Sequence, residues 1–336
     1  MSLFLARRLG SVVLTLFIAS FLVFVVAEFS PGNVARKSLG IFATEEQVEI
    51  LADKLRLGDP LLTRYGRWLG VLLGLIEDPL GDPALKLGFD DPRGHRYFGN
   101  LGYSILYKVP VNDILWAKLG NTALLAATAF ALIVPISLLL GVLAGMREGS
   151  RLDLSLSIGS VVLTSVPEFA SAVFLIAIFV VGLGWLPGAS PLLEAGNWSI
   201  AAQFILPALV LVLADVGYVT RIVRTAMANV MTRPFIRTAV LKGLPKWRVV
   251  LRHGLRNAMI VPFTVLMMQI NWLVTGVVVT EVVFAYPGFG KMLLEAALFG
   301  DIAMIEAATI VALLVAAATQ IISDLGYAML DPRLRR

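Results

Sequence analysis

The chain has 336 residues, 58% of them hydrophobic and 15% charged, with a mean hydropathy of +0.84. Soluble domains run about 45–50% apolar and about 25% charged, so the composition excludes a disordered chain, disfavours a soluble enzyme and points to lipid as solvent. With no Cys and only His95 and His253, thiolate metal sites, CxxC redox chemistry and disulfides are excluded, and the net charge of +5 has to be read from its distribution.

A membrane-spanning helix needs about 20 mostly apolar residues. The first such run is Leu9–Ala27. Arg7-Arg8 before it and Val25-Val26-Ala27 at its end imitate a cleavable signal peptide, but the run is longer than the about 7–15 residues of such a core, which predicts an uncleaved helix within 1–29. Residues 30–117 follow as the one long extramembranous segment. In it Thr44-Glu45-Glu46-Gln47 forms a capping-box pattern, the Thr hydroxyl serving a third-residue amide while Gln47 reaches back. The helix it opens keeps Val48, Leu51 and Leu55 on one face and stops at Gly58-Asp59-Pro60. A second short helix carries Leu62, Tyr65, Trp68 and Leu69, and Glu77–Gly99, rich in Asp, Pro and Gly, reads as loop.

Further spans are expected at Leu119–Met146, at about Leu154–Trp185 interrupted only by Glu168, and at about Ile200–Thr220 with Asp215 inside. Between the fourth and fifth spans, Pro234 can open a helix on which Phe235, Ile236, Ala239 and Val240 recur at helical spacing, and Gly243-Leu244-Pro245 breaks it. A second amphipathic helix sets Trp247, Val250, Leu251 and Leu255 opposite Arg248, Arg252 and Arg256. Two short helices around a glycine elbow suit either an interfacial segment held by anionic lipid or a docking element for a cytoplasmic partner. The fifth span is uncharged from Asn257 to Thr280, and the sixth, about Ala303–Leu330, carries Glu306 and Asp324.

Lys and Arg orient these spans. With the N-terminus inside, sixteen of the 28 basic residues fall on inner segments, nine of them between Arg221 and Arg256 where no acid stands, and the two short outer loops hold only Lys291. The long segment from about residue 28 to 118 is nearly balanced, with eleven basic and twelve acidic residues. Both termini are therefore expected in the cytoplasm, and the basic charge is a topology signal, not one for nucleic acid.

These motifs, taken in order, carry a resemblance. Arg237-Thr238-Ala239-Val240-Leu241-Lys242-Gly243, followed by Arg252-His253-Gly254-Leu255-Arg256-Asn257-Ala258, is similar to the EAA loop of ABC importer permeases. Leu57-Gly58-Asp59-Pro60-Leu61, Gly99-Asn100-Leu101-Gly102-Tyr103-Ser104, Ser165-Val166-Pro167 and Leu206-Pro207-Ala208 extend it. So do Glu281-Val282-Val283-Phe284-Ala285-Tyr286-Pro287-Gly288-Phe289-Gly290 and the closing Asp331-Pro332-Arg333-Leu334-Arg335, so that nearly the whole chain resembles the dipeptide/oligopeptide/nickel class of bacterial ABC importer permeases. The resemblance implies an all-α polytopic protein of the bacterial inner membrane with six transmembrane helices, arranged as a type I importer permease. Its parts would be an N-terminal helix (1–29), an extracytoplasmic segment (30–117) and a five-helix core (118–336) with the coupling loop at about 233–256. Implied partners are a second homologous permease, two cytoplasmic ATPase subunits and an extracytoplasmic solute-binding protein. No cofactor is expected on this chain, ATP and Mg belonging to the partner subunits.

By the same resemblance, Arg237, Thr238, Ala239, Lys242, Gly243, Trp247, Arg248 and Arg252 dock the ATPase. The chain departs from the family by about two dozen extra residues at about 75–98, which suit contact with the solute-binding protein or an ornamental loop, and by Pro262, one residue later than the class places it. Gly288-Phe289-Gly290-Lys291 is no phosphate loop, since Ala285 and Met292 stand where a glycine and a hydroxyl residue are needed. Ionisable and amide residues within spans default to functional candidates, and Glu168, Asp215, Gln269, Asn271 and Glu281 are the translocation-pathway candidates. The function expected is ATP-driven import of peptides or similar small solutes; a secondary carrier or channel working without an ATPase is the competing reading.

Overall fold

The computed structural model describes residues 2–28, 36, 43–54, 56–78, 96–192, 198–275 and 277–330. The side chains of Arg7, Arg8, Leu51 and Asp324, residue Leu55, residues 79–95 of the extra stretch with His95, and Asp331–Arg336 lie outside them. Along the chain run α1 (Ser2–Glu28), α2 (Glu45–Lys54), α3 (Leu61–Leu72), the two-residue antiparallel strands β1 (Tyr103–Ser104) and β2 (Val109–Pro110), α4 (Val111–Gly145) and α5 (Arg151–Ser165). Next come α6 (Glu168–Leu175), prolonged by π-helix at Ile176–Gly182, α7 (Ile200–Met231), α8 (Pro234–Leu241) and α9 (Lys246–Arg248). A π-helical stretch (Val249–Leu255) leads to α10 (Arg256–Ala258), α11 (Ile260–Thr275), α12 (Val278–Val283), α13 (Phe289–Phe299) and α14 (Ile302–Leu330).

Among the described residues, four helices are long and apolar enough to cross a bilayer: Val111–Gly145, Ile200–Met231, Ile260–Val283 and Ile302–Ser323. A fifth crossing is reached if α5 and the segment Glu168–Gly182, bent by 95° against each other, count as one. The apolar stretch of α1, Gly10–Val26, is shorter. The expected continuous run Leu154–Trp185 is thus corrected: it breaks at Val166-Pro167, where Val166 is extended (φ −85°, ψ 121°). A proline pushes the residue before it out of helical geometry and supplies no N–H of its own. Pro262, by contrast, lies in the first turn of α11 and costs no helical bond there.

Packing divides the chain into two compact units, residues 1–120 with 289–317 and residues 121–288 with 318–336. In the first, the expected capping box forms: the Thr44 amide donates to Gln47 Oε1 at 3.0 Å and the Gln47 amide to Thr44 Oγ1 at 3.2 Å. Tyr65 of α3 is buried against the rings of Phe17, Phe21 and Phe24 of α1, all edge-on, and its hydroxyl shares a 2.8 Å hydrogen bond with Ser20. Leu115 of α4 packs with Phe289 and Met292 of α13 and Met304 of α14. Asp301, 2% exposed, caps α14 through the Met304 amide (3.2 Å) and also accepts from the Ser104 hydroxyl (2.5 Å) and the Leu106 amide (3.1 Å). Burial pushes its carboxyl up, against the downward pull of those bonds.

The second unit is built on α7, whose Leu211, Val219 and Met227 share a core with Leu125 and Ile133 of α4 and Leu266 of α11. α5 meets α7 at Gly217, where a Cβ would lie 2.4 Å from the Ser160 carbonyl oxygen. Without a driving force from water, helices in lipid associate through such close backbone approach. Gly217→Ala should therefore destabilise the protein by about 1–3 kcal/mol through overpacking. Gly159→Ala on α5, which meets nothing within 4 Å, should be neutral or stabilising by up to about 1 kcal/mol. Thermal unfolding of the two variants in detergent separates them.

Candidate functional site

Met231, at the end of α7, and Leu244 join Ile236, Ala239 and Val249 in one small apolar cluster, so α8 and the π-helical stretch are seated on each other and on α7. Arg233 precedes Pro234, whose fixed φ and missing N–H suit the first position of α8. The helix ends with the Gly243 amide donating to the Val240 carbonyl (2.9 Å) and the Leu244 amide to that of Ala239 (3.3 Å). This is the Schellman arrangement, which places the residue after the cap in left-handed geometry. Gly243 fills that position at φ +74° with open space around its Cα, so backbone freedom and not close packing requires glycine there.

Around this elbow Ile236 and Ala239 face inward, while Phe235, Arg237, Thr238, Val240, Leu241 and Lys242 are exposed. The second arm buries Val249, Val250, Gly254 and Ala258 and exposes Trp247, Arg248, Leu251, Arg252 and Arg256. The expected separation of an apolar face (Trp247, Val250, Leu251, Leu255) from an arginine stripe is corrected here. The i→i+5 bonding of Val249–Leu255 turns successive residues by less than an α-helix does, so within that stretch Leu251 joins the arginines outside, and Trp247, on α9 before it, is exposed as well. Arg248 lies 5.3 Å from the centre of the Trp247 ring. The result is a surface of exposed apolar side chains among basic ones (Trp247 62%, Leu241 78%, Val240 57% exposed), chemically fit for a protein groove with acidic edges.

Beyond this loop, α7 is tied to α5 by an ion pair that the sequence reading missed. Arg224 donates from Nε to Asp153 Oδ1 (2.9 Å) and from a terminal nitrogen to Oδ2 (2.7 Å), the bidentate fork that makes an arginine pair directional. Asp153 also accepts from the Gly149 amide (2.9 Å), and Ser150 caps α5 by accepting from the Asp153 amide (3.2 Å). The signal was present as Ser150-x-x-Asp153, a capping pattern before an apolar run.

The pathway candidates sort into three groups. Glu168 Oε1 accepts from the amide (3.2 Å) and the hydroxyl of Thr280, joining α6 to the start of α12. Glu281, fully buried, accepts from the Thr122 hydroxyl of α4, and its carboxylate fills the space a side chain at Gly288 would need. Nearby, the Tyr286 hydroxyl donates to the Asn121 carbonyl (2.6 Å) and the Asn121 amide group to the Pro287 carbonyl (2.9 Å). Asp215 and Gln269 are brought together, the Gln269 amide group donating to Asp215 Oδ1. Asp215 Oδ2 and, elsewhere on α11, Asn271 Oδ1 are buried without a hydrogen-bond partner.

Two variants test these arrangements. Gly243→Ala should cost about 1–2 kcal/mol of local stability at the elbow because a Cβ is strained there, while Gly243→Asn loses less; hydrogen exchange over residues 234–258 should accelerate in the first and stay near wild type in the second. Asp153→Asn and Arg224→Gln should each destabilise by about 1–3 kcal/mol, reduced from a fully buried pair because Arg224 is 27% exposed. The double variant should lose less than their sum in detergent melts.

Residues 137–336 match the family described as binding-protein-dependent transport system inner membrane component, and residues 1–126 match the N-terminal region of the same membrane components. The chain is 30% identical to the oligopeptide transport system permease protein AppB of Bacillus subtilis over 99% of both chains. It is equally 30% identical to a putative peptide transport system permease protein of Brucella abortus, over 100% of this chain and 99% of that one. To the glutathione transport system permease protein GsiC of Shigella flexneri it is 29% identical, over 99% of this chain and 98% of that one. The apolar helices, the motif order and these full-length matches agree: the chain belongs to the family of inner membrane components of binding-protein-dependent transport systems and is a multi-pass permease subunit of the ABC importer class.

Proposed function

We propose that this chain is one of two homologous permease subunits of an importer that carries peptides into the cytoplasm, driven by two ATPase subunits and fed by an extracytoplasmic solute-binding protein. The peptide cargo is supported by the oligopeptide and peptide systems named for the relatives. Six spans follow if α1 and the bent α5–α6 pair each cross once. The aromatic cage that α1 builds around Tyr65 supports a first helix that stays with the mature protein. The basic inner segments support a cytoplasmic location for both termini. On this topology residues 30–117 are extracytoplasmic and residues 118–336 form the permease core.

The observation that carries the reading is the elbow at Gly243, with its Schellman bonds and the apolar and basic side chains it leaves exposed. Arg237, Thr238, Ala239, Lys242, Gly243, Trp247, Arg248 and Arg252 form or shape the ATPase-docking surface; Ala239, buried, acts by seating α8 on the second arm. ATP and Mg are bound by the partner subunits. When those subunits close, a push on α8 passes to α7 through Met231 and to α5 through Arg224 and Asp153. Ligand-driven motion of this kind needs a bistable element, and the 95° bend at Pro167 is the place for one. Along the pathway, Asp215 with Gln269, and Asn271, present unsatisfied oxygens to a passing solute, whereas Glu168 and Glu281 hold the broken helices in place.

Co-expression with the ATPase subunits tests the docking surface. The wild-type chain should co-purify with them, and Arg248→Glu with Arg252→Glu should reduce the association at least about tenfold, as loss of two charge-assisted contacts demands, without loss of folded permease. Solute transport by the purified chain alone would overturn the reading in favour of a secondary carrier. In the assembled importer, Asp215→Asn should lower uptake of peptides with a free ammonium group more than that of N-acetylated ones.

A further inference from the structure

The two short helices that follow α1 turn opposite kinds of surface outward. α2 exposes Glu45, Glu46, Glu49 and Asp53 and buries Val48, as a helix in water does. α3 exposes Leu62, Thr63 and Gly66, with no charge among them. Its two arginines are half-buried and held by their own chain, Arg67 donating to Asp59 at 2.5 Å and Arg64 to the Leu57 carbonyl at 3.4 Å. A helix that keeps its charges in and an uncharged face out is arranged for lipid, not for water.

The depth of α3 follows from its contact with α1. The Tyr65 hydroxyl shares a hydrogen bond with Ser20 and reaches the Phe17 carbonyl at 3.4 Å. Phe17 stands nine residues before Val26, the end of the apolar stretch Gly10–Val26, which is about 13 Å along the helix. A tyrosine side chain is shorter than that, so the backbone that carries it also lies below the outer end of the apolar stretch. We propose that α3 and the turn after it are embedded in the outer leaflet of the membrane without crossing it, with Leu62, Leu75 and Phe98 facing acyl chains. The proposal rests on the reading of α1 as a first crossing with its N-terminus inside.

The chain after α3 continues the apolar surface. Gly74 turns at φ +70° against the backbone of Tyr97 and Phe98, where a Cβ would lie 2.7 Å from the Phe98 nitrogen, and the Gly99 amide closes onto the Leu72 carbonyl at 2.8 Å. The two ends of the extra stretch are thereby clasped at one place, where Leu75 (63% exposed) and Phe98 (82%) point outward. Lipid, and not a soluble protein, is the occupant because α3 is packed on a helix whose own Leu14, Ile18 and Leu22 are exposed along its apolar stretch. A soluble partner would have to displace acyl chains to reach that level.

The chain has no Cys, so single cysteines report without background. In proteoliposomes of the full chain, Leu62→Cys, Leu75→Cys and Phe98→Cys should react with a membrane-impermeant maleimide at least about tenfold more slowly than Glu49→Cys, because apolar surroundings exclude the reagent and withhold the reactive thiolate. A bimane on the same three cysteines should be quenched more by a nitroxide carried near the phospholipid headgroup than by one near the acyl-chain end, and the reverse should hold for Ile18→Cys in the middle of the apolar stretch of α1. On the unaltered chain, which needs no variant to fold, a phospholipid with a diazirine in its acyl chain should label residues 61–76 and spare 45–54. Maleimide rates at the three sites equal to that at Glu49→Cys, with Ile18→Cys still quenched from the chain ends, would overturn the proposal and leave α1 a crossing. An unquenched Ile18→Cys would overturn the reading of α1 and the proposal with it. Protection of the three sites only after the solute-binding protein is added would overturn the proposal in favour of protein docking.

Discussion

Wherever a backbone stops being helical inside an apolar medium, its N–H and C=O groups lose both their helical partners and water. The irregular points of this chain sit where side chains or neighbouring backbone replace those partners. In the first turn of α12 the Thr280 amide is taken by Glu168. The turn after α12 is met by Asn121 at the Pro287 carbonyl, and the Ser190 amide reaches the Phe284 carbonyl at 2.7 Å. Each of these bonds gives a backbone group at a turn or helix end a partner in place of water.

The same economy explains the two rigid connections around the elbow. At the Gly243 turn the Schellman bonds satisfy the carbonyls at the end of α8 and at once turn the chain back onto α7. Further along α7, Arg224 and Asp153 neutralise each other with two parallel hydrogen bonds and take further bonds from Gly149 and Ser157. Removing either partner would leave the other's charge unpaired at a partly exposed site. α7 is thus joined both to the exposed loop and to α5.

Much of this was legible in the residues. The apolar runs located the long helices α4, α7, α11 and α14, the capping box at Thr44 formed as read, and the glycine elbow fell where Gly243-Leu244-Pro245 placed it. What could not be read depended on neighbours distant in sequence. Hydropathy is blind to the bend at Pro167, because both arms of the break are equally apolar. A period of 3.6 puts Trp247 and Leu251 on the buried side of the second arm, but both are exposed, Leu251 within the π-helical turn and Trp247 just before it. Ser150-x-x-Asp153 reads as a cap, but its ion pair is not legible because Arg224 lies 71 residues away.

By itself, the sequence determined that the chain lives in lipid, roughly where it crosses, and which loop gathers exposed basic charge, because transfer energies and charge bias are summed residue by residue. The tertiary structure alone decided which polar groups in those crossings are already occupied. Glu168, Glu281, Asp215 and Gln269 look alike as polar residues in apolar runs. Only packing separates the two glutamates, held by Thr280 and Thr122, from Asp215, which keeps one oxygen unsatisfied. A hydrogen bond is a relation between two positions, and a single chain read in order carries no distance between them.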